Sequence, residues 1–365
     1  MRTSPAIKAA TLTASAVLAL AITGCGSSSS KTSSAGAAAT GGSKSLHIYA
    51  WAGEIPDAIV KSFEKSTGIS VTVDTFDSNE TMTTKLSAGG AGYDLVEPSQ
   101  YTVQQLSGQK LIRPLDHSAI KGLSNLSPKF LNPSFDPNNK YSVPLVWGTT
   151  GMAYNDKCTG GAKLTSWSAL FDPKFKGKIY MLDNELSAYI PALQINGYHA
   201  TSTSKDEIAK ATETLRKQKP LLAGYNSTNY ATLLSSGQAC VAEAYNGSAI
   251  AAVTKANPHV HFVQPSEGGT VFTDGLAIPS GAKNLTSAYA FINYTLQPKI
   301  AAMETNVGGN ATTNEAAKAY ITDKSLLTNP AVFASNASVA KADFILNPGK
   351  ALAYFNAGWT KVRAS

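Results

Sequence analysis

The chain has 365 residues, 15% of them charged and 43% hydrophobic, with a formal net charge of +7. That length predicts two domains. Lys and Arg are scattered, without a basic block or interleaved aromatics, which argues against a nucleic-acid footprint.

The N-terminus sets Arg2 and Lys8 before an apolar run from Ala14 to Ile22, closed by Thr23-Gly24-Cys25. Basic, apolar and small-residue zones in that order predict a signal peptide over residues 1–24. A cysteine directly after Gly24 gives this segment the form of a bacterial lipobox, with Cys25 diacylated as the mature N-terminus. The alternative is an ordinary signal peptide with an incidental cysteine. Two acyl chains suffice for stable anchoring. The Gly, Ser, Ala and Thr of the next stretch cannot bury enough apolar surface to order themselves. Residues 25–45 therefore read as a flexible tether at the extracytoplasmic face of a membrane, in a periplasm or at an outer surface. No later run is long and apolar enough to span a bilayer.

From Leu46 the pattern becomes that of a folded body. Leu46 to Ala50 alternates as a strand. Pro56-Asp57 opens a helix with Ile59, Val60 and Phe63 on one face, and Gly68 stops it. Ile69, Val71 and Val73 alternate again. Asp77 to Glu80 opens a helix through Leu86, and Tyr93 to Val96 forms a third strand. This β-α-β-α-β order demands a parallel sheet with helices on both faces. An irregular stretch follows as far as Gly151, then a strand from Met152 to Tyr154 and a short helical segment from Thr165. Gly177 to Leu182 is a strand. Ser204 to Glu207 is a capping box, with Ile208, Ala211 and Leu215 striped behind it. Val241 to Tyr245, His259 to Val263 and Asp274 to Pro279 read as strands, and Thr286 to Leu296 as a helix. Two α/β units with the ligand between them are expected.

No catalytic constellation is present: no G-x-S-x-G, H-E-x-x-H, P-loop or G-x-G-x-x-G after a strand. His259 and His261 share a face of a strand and read as an exposed pair rather than a metal site. His47, His117 and His199 are isolated. No cofactor or metal is implied. With Cys25 lipidated, Cys158 and Cys240 remain as a pair outside the cell, either bonded or as two buried thiols.

What stands out is a set of rings and acids at strand ends. Trp51 follows the first strand, Ser99 and Tyr101 the third, Tyr245 ends a strand, and Phe272 and Asp274 flank a crossing. Ligands of parallel sheets bind outside the carboxyl ends of strands. Rings attract cations by about 0.5–2 kcal/mol each, and a buried carboxylate wants a positive partner. The set suits an organic amine. It equally suits ordinary core aromatics and a turn-capping carboxylate, and the pattern alone does not choose.

The segments Tyr49-Ala50-Trp51, Phe63 to Ile69, Asp77-Ser78-Asn79-Glu80-Thr81-Met82, Tyr93 to Val96 with Pro98-Ser99, Pro133 to Asn139, Thr165-Ser166-Trp167, Tyr245 to Ala249, Glu267-Gly268-Gly269 and Asp274 to Pro279 carry a resemblance. In this order they resemble the spermidine/putrescine-binding proteins over nearly the whole body. The resemblance implies the type II periplasmic-binding-protein fold: two α/β lobes, parallel or mixed sheets, hinge crossings and an interlobe cleft. It places residues 46–151 and 273–318 in lobe 1 and residues 152–272 and 319–365 in lobe 2. It implies a monomeric, non-enzymatic binding protein that delivers a polyamine to the permease subunits of an ABC importer.

Position by position, Trp51 matches a tryptophan that packs on the ligand, Ser99 and Tyr101 line the cleft, and Asp274 pairs with a ligand amine. Tyr245 and Phe272 stand where the family has tryptophans. Asn184 and Ser187 stand where it has acids, and Gly309 and Ile345 where it has a tyrosine and a glutamine. Glu54 and Glu185 could restore charge or be exposed loop acids. Fewer acids leave room for a monocationic or zwitterionic solute. A ligand-sensing lipoprotein and a secreted enzyme on the same scaffold are the rival functions.

Overall fold

The structure, a computed structural model, describes residues 44–89 and 92–365. The signal peptide, Cys25 and almost all of the tether lie outside the described residues.

The first three strands are β1 (Ser45–Trp51), β2 (Ser70–Phe76) and β3 (Leu95–Val96). β1 lies between the other two, parallel to both. The connections are the expected helices, Asp57–Thr67 and Asn79–Ser87. Helix Asp57–Thr67 buries Ile59 and Phe63 and ends at Gly68, whose φ of 70° is the left-handed conformation that glycine adopts without a Cβ penalty. β1 begins at Ser45, which pairs with Ser70, so the strand starts at the last residue assigned to the tether.

β4 (Ser142–Asn155) departs most from expectation. Only its last residues were predicted as strand. It has no polar/apolar alternation because nearly every residue is buried, and Pro144, Gly148 and Gly151 mask it further. Pro144 is tolerated at a register shift, where a ladder hydrogen bond is already missing. The first part of β4 pairs antiparallel with β9 (Thr270–Ala277), and its last part with β7 (Val241–Tyr245) and β8 (Val260–Val263). β5 (Ile179–Met181) lies parallel between β7 and β6 (Leu222–Tyr225). Short strands β10 (Ala311–Thr312) and β11 (Asp343–Phe344) join β4 and β9. The path is β2-β1-β3-β9-β4-β7-β5-β6, so the two α/β halves are stitched into one mixed ladder through the β4–β9 pair.

Each half has its own core. Ile48, Phe63, Leu95, Leu276 and Phe291 pack in the first. Met152, Trp167, Ile179, Tyr189, Leu215, Val241 and Phe355 pack in the second. Helix Glu185–Ile195, which sequence periodicity did not predict, is buried almost all round and holds Pro191, so it shows no stripe. The capping box is half-formed: Ser204 Oγ accepts from the Glu207 N–H, but the Glu207 carboxylate takes the Ser202 hydroxyl instead of turning back to Ser204. Cys158 and Cys240 are joined, with Cα atoms 5.3 Å apart. His259 and His261 are half-buried rather than exposed, because both rings bond the Asp156 carboxylate at 2.8 Å.

Candidate functional site

β1 and β2 end together at Trp51 and Phe76, whose rings pack at 4.6 Å. β3 ends just before Ser99. The carboxyl ends of all three parallel strands therefore open on one side, into a cavity of about 460 Å³. Trp51, Glu54, Ser99, Tyr101, Asn184, Tyr245, Phe272 and Asp274 all line it. Ser187 and Ile345 line it too, whereas Glu185 and Gly309 do not.

Asp274 sits at the centre of the first wall. It lies on β9 opposite Val146 and is only 3% exposed. The Ser99 hydroxyl donates to its Oδ1 at 2.5 Å. Ser99 is fixed by Asn79: the Asn79 amide donates to Ser99 Oγ at 3.0 Å and to Tyr101 Oη at 2.7 Å, while its carbonyl accepts the Ser99 N–H. One buried side chain thus aims two wall residues at once. Burial raises the Asp274 carboxyl to about 6, against the Ser99 hydrogen bond and the nearby Trp51 indole, which favour charge. The indole N–H is near the carboxylate but outside hydrogen-bonding geometry, and is itself without a partner.

The second wall is built from helix Glu185–Ile195, β7 and β9. Asn184 caps helix Glu185–Ile195 by accepting from the Ser187 N–H at 3.0 Å. The Ser187 hydroxyl bonds Tyr245 Oη at 2.9 Å, and Tyr230 donates to the Tyr245 carbonyl. Tyr245 and Phe272 meet edge to face with centroids 5.4 Å apart. The neutral pair at the expected acidic positions is therefore used internally, one as a cap and one as an anchor for a ring.

The crossing between the halves is held by Asn246, to which no local sequence signal assigns a role. Its Oδ1 accepts the Thr149 N–H at 2.7 Å, and its amide donates to the carbonyls of Pro330 and Val332. A Cβ at the neighbouring Gly148 would collide with Asn246 Oδ1 and the Phe272 ring, so glycine is required there.

Five carboxylates line the cavity: Glu54, Asp77, Glu80, Asp183 and Asp274. Among the described lining residues none is Lys, Arg or His. Glu54 is half-buried with its Oε2 out of solvent, not an exposed loop acid, and desolvation followed by the field of Asp274 pushes its carboxyl well up. Glu97 and Glu304 lie in the same field, fully buried, and neither was singled out in the sequence. Glu97 carried a signal, an acid directly after an apolar strand at its carboxyl end; Glu304 carried none beyond lying among buried alanines.

The family model for bacterial extracellular solute-binding proteins matches residues 58–348. The chain belongs to this family. It is 37% identical over 277 residues to the spermidine/putrescine-binding periplasmic protein of Escherichia coli (strain K12), covering 76% of this chain and 79% of that protein. The corresponding protein of Salmonella typhimurium is 34% identical over 321 residues, covering 88% and 92%. Among solved structures, a putative spermidine/putrescine ABC transporter from Listeria monocytogenes superposes with a TM-score of 0.82 at 32% identity, covering 88% of this chain and 99% of that one. This solute-binding protein therefore sits in the spermidine/putrescine-binding branch, a branch of non-enzymatic proteins with the type II fold.

Proposed function

We propose that this solute-binding protein captures a polyamine or similar organic cation outside the cell and presents it to the permease of an ABC importer, tethered through lipid on Cys25. The observation that carries the reading is the cavity wall: five carboxylates, of which only Asp183 is ion-paired, with no basic side chain among the described lining residues and rings on both sides. Such a wall repels anions and gives a cation both charge partners and π faces. Asp274 would anchor one ammonium, with Trp51, Tyr101, Tyr245 and Phe272 around the alkyl chain. Relatives named as polyamine-binding proteins support the ligand class, and a solved lipoprotein of Treponema pallidum with a TM-score of 0.79 at 29% identity supports the anchor.

Binding works by closure of two lobes, residues 46–151 with 273–318 against 152–272 with 319–365. The β4–β9 pair is the crossing. A ligand touched from both walls stabilises the closed form, since only that form offers both sets of contacts. Titration calorimetry with putrescine, spermidine, a monoamine, amino acids and a neutral diol tests the reading. Heat with the amines alone is expected; heat with none of the cations would remove it. A single-charged solute is favoured by one observation, the internal use of Asn184 and Ser187, and a monoamine that binds as tightly as putrescine would select it.

A further inference from the structure

Glu54 stands in the turn after β1, closed by its N–H to the Trp51 carbonyl at 3.3 Å, and lines the cavity. Its Oε2 is buried without a hydrogen-bond partner. Directly after β3, Glu97 accepts the Trp51 N–H through Oε2 at 3.1 Å and leaves Oε1 without a partner. Glu304, on helix Pro298–Asn306, is fully buried with neither oxygen bonded. The end of that helix packs on the Glu54 turn, where a Cβ at Gly308 would lie 2.6 Å from the Glu304 carbonyl and 3.1 Å from Pro56 Cγ. Four buried carboxylate oxygens without partners in one place are unusual, because buried polar groups are nearly always satisfied. None of these acids, nor Asp274, takes part in an ion pair among the described residues.

We propose that Glu54, backed by Glu97 and Glu304, forms a second carboxylate subsite beside Asp274, and that the ligand's ammonium group enters between them with its remaining length directed toward the neutral Asn184 end. This rests on the reading that the ligand is a cation. Four of the five lining carboxylates, Glu54, Asp77, Glu80 and Asp274, stand on the β1–β3 side, whereas at the other end Asp183 is already paired with Arg363 at 2.8 Å and Asn184 and Ser187 offer no charge. The subsite therefore sets orientation: the charged head goes to lobe 1.

The groups facing Glu54 are Asp274 on β9, Glu97 after β3 and Glu304 on its helix, and all of them favour the neutral form of Glu54. Burial raises all three carboxyls and so favours their neutral forms, and the fields of neighbouring acids raise Glu54 and Glu97 further. An arriving ammonium reverses that balance. A carboxylic acid ionises, its proton leaves to buffer, and the O⁻ bonds the N⁺–H.

The test is putrescine calorimetry at pH 7 in two buffers of different ionisation enthalpy, on the wild type, Glu54→Gln, Glu97→Gln and Asp274→Asn. Proton release by the wild type is expected, with tenfold or greater losses of affinity and smaller release for the Glu54 and Glu97 variants. Removing an unpaired buried acid should leave the ligand-free melting temperature unchanged or higher, which checks folding. Wild-type affinity and wild-type proton release in both glutamine variants, with binding lost in Asp274→Asn, would overturn the subsite and leave the cation reading standing. Absence of binding of putrescine, spermidine and butylamine to the wild type would overturn both.

Discussion

At the residue scale the site depends on one carboxylate placed by a relay. Asn79 holds Ser99, and Ser99 holds Asp274. Asp274→Asn keeps the shape and removes the charge, so putrescine affinity should fall about ten- to a hundredfold, as loss of a charge-assisted bond of roughly 1.5–3 kcal/mol in a closed cleft implies; calorimetry reads this directly. Phe272→Ala removes one ring and should cost about 0.5–2 kcal/mol, a two- to thirtyfold loss. Most of the wall was legible in the sequence, because rings and acids at strand ends stand out once strands are placed. Asn79 and Asn246 were not, since their work is long-range hydrogen bonding, which leaves no local period. Asn184 and Ser187 were read as lost acids; the structure gives them other partners.

At the element scale the paired strands β4 and β9 join the halves. Helices and strands with one exposed face were predictable from period: Asp57–Thr67, Lys205–Gln218 and β1 show it. Elements buried on both faces were not, and β4 and helix Glu185–Ile195 are the two that matter here. Gly148→Ala places a methyl against Asn246 and Phe272 where the structure has no room. It should destabilise by about 1–3 kcal/mol as overpacking does and weaken amine binding by displacing the ring, visible as a lower melting temperature and a lower affinity together. The Cys158–Cys240 bond closes a span of 82 positions. Replacing both cysteines by serine should cost about 2–4 kcal/mol, read as a shift in the denaturant midpoint with ligand affinity retained, since neither residue lines the cavity.

At the scale of the whole molecule, the folded state contains acids whose pKa values are raised. Asp274 is lifted to about 6 and Glu185 to about 7, in both cases chiefly by burial, and burial raises Glu54, Glu97, Glu243 and Glu304 as well. Between the ordinary carboxylate range and these values the native chain binds more protons than the unfolded one. Stability must then fall as pH rises, by about 1.4 kcal/mol for each unit of separation of a fully buried group. The ligand-free protein is predicted to melt at a lower temperature at pH 8 than at pH 5.5, and saturating putrescine should remove most of that difference. The lowered acids Asp74, Asp156 and Asp323 act in the opposite sense but below this window.

The place where a cation's nitrogen comes to rest decides what this cleft binds. A crystal structure of the protein grown with putrescine measures that position. An ammonium nitrogen about 3 Å from an Asp274 oxygen, with the alkyl chain between the Trp51 and Phe272 rings, is the predicted result. A cleft that holds only water at saturating amine, or an amine bound away from Asp274, would contradict it.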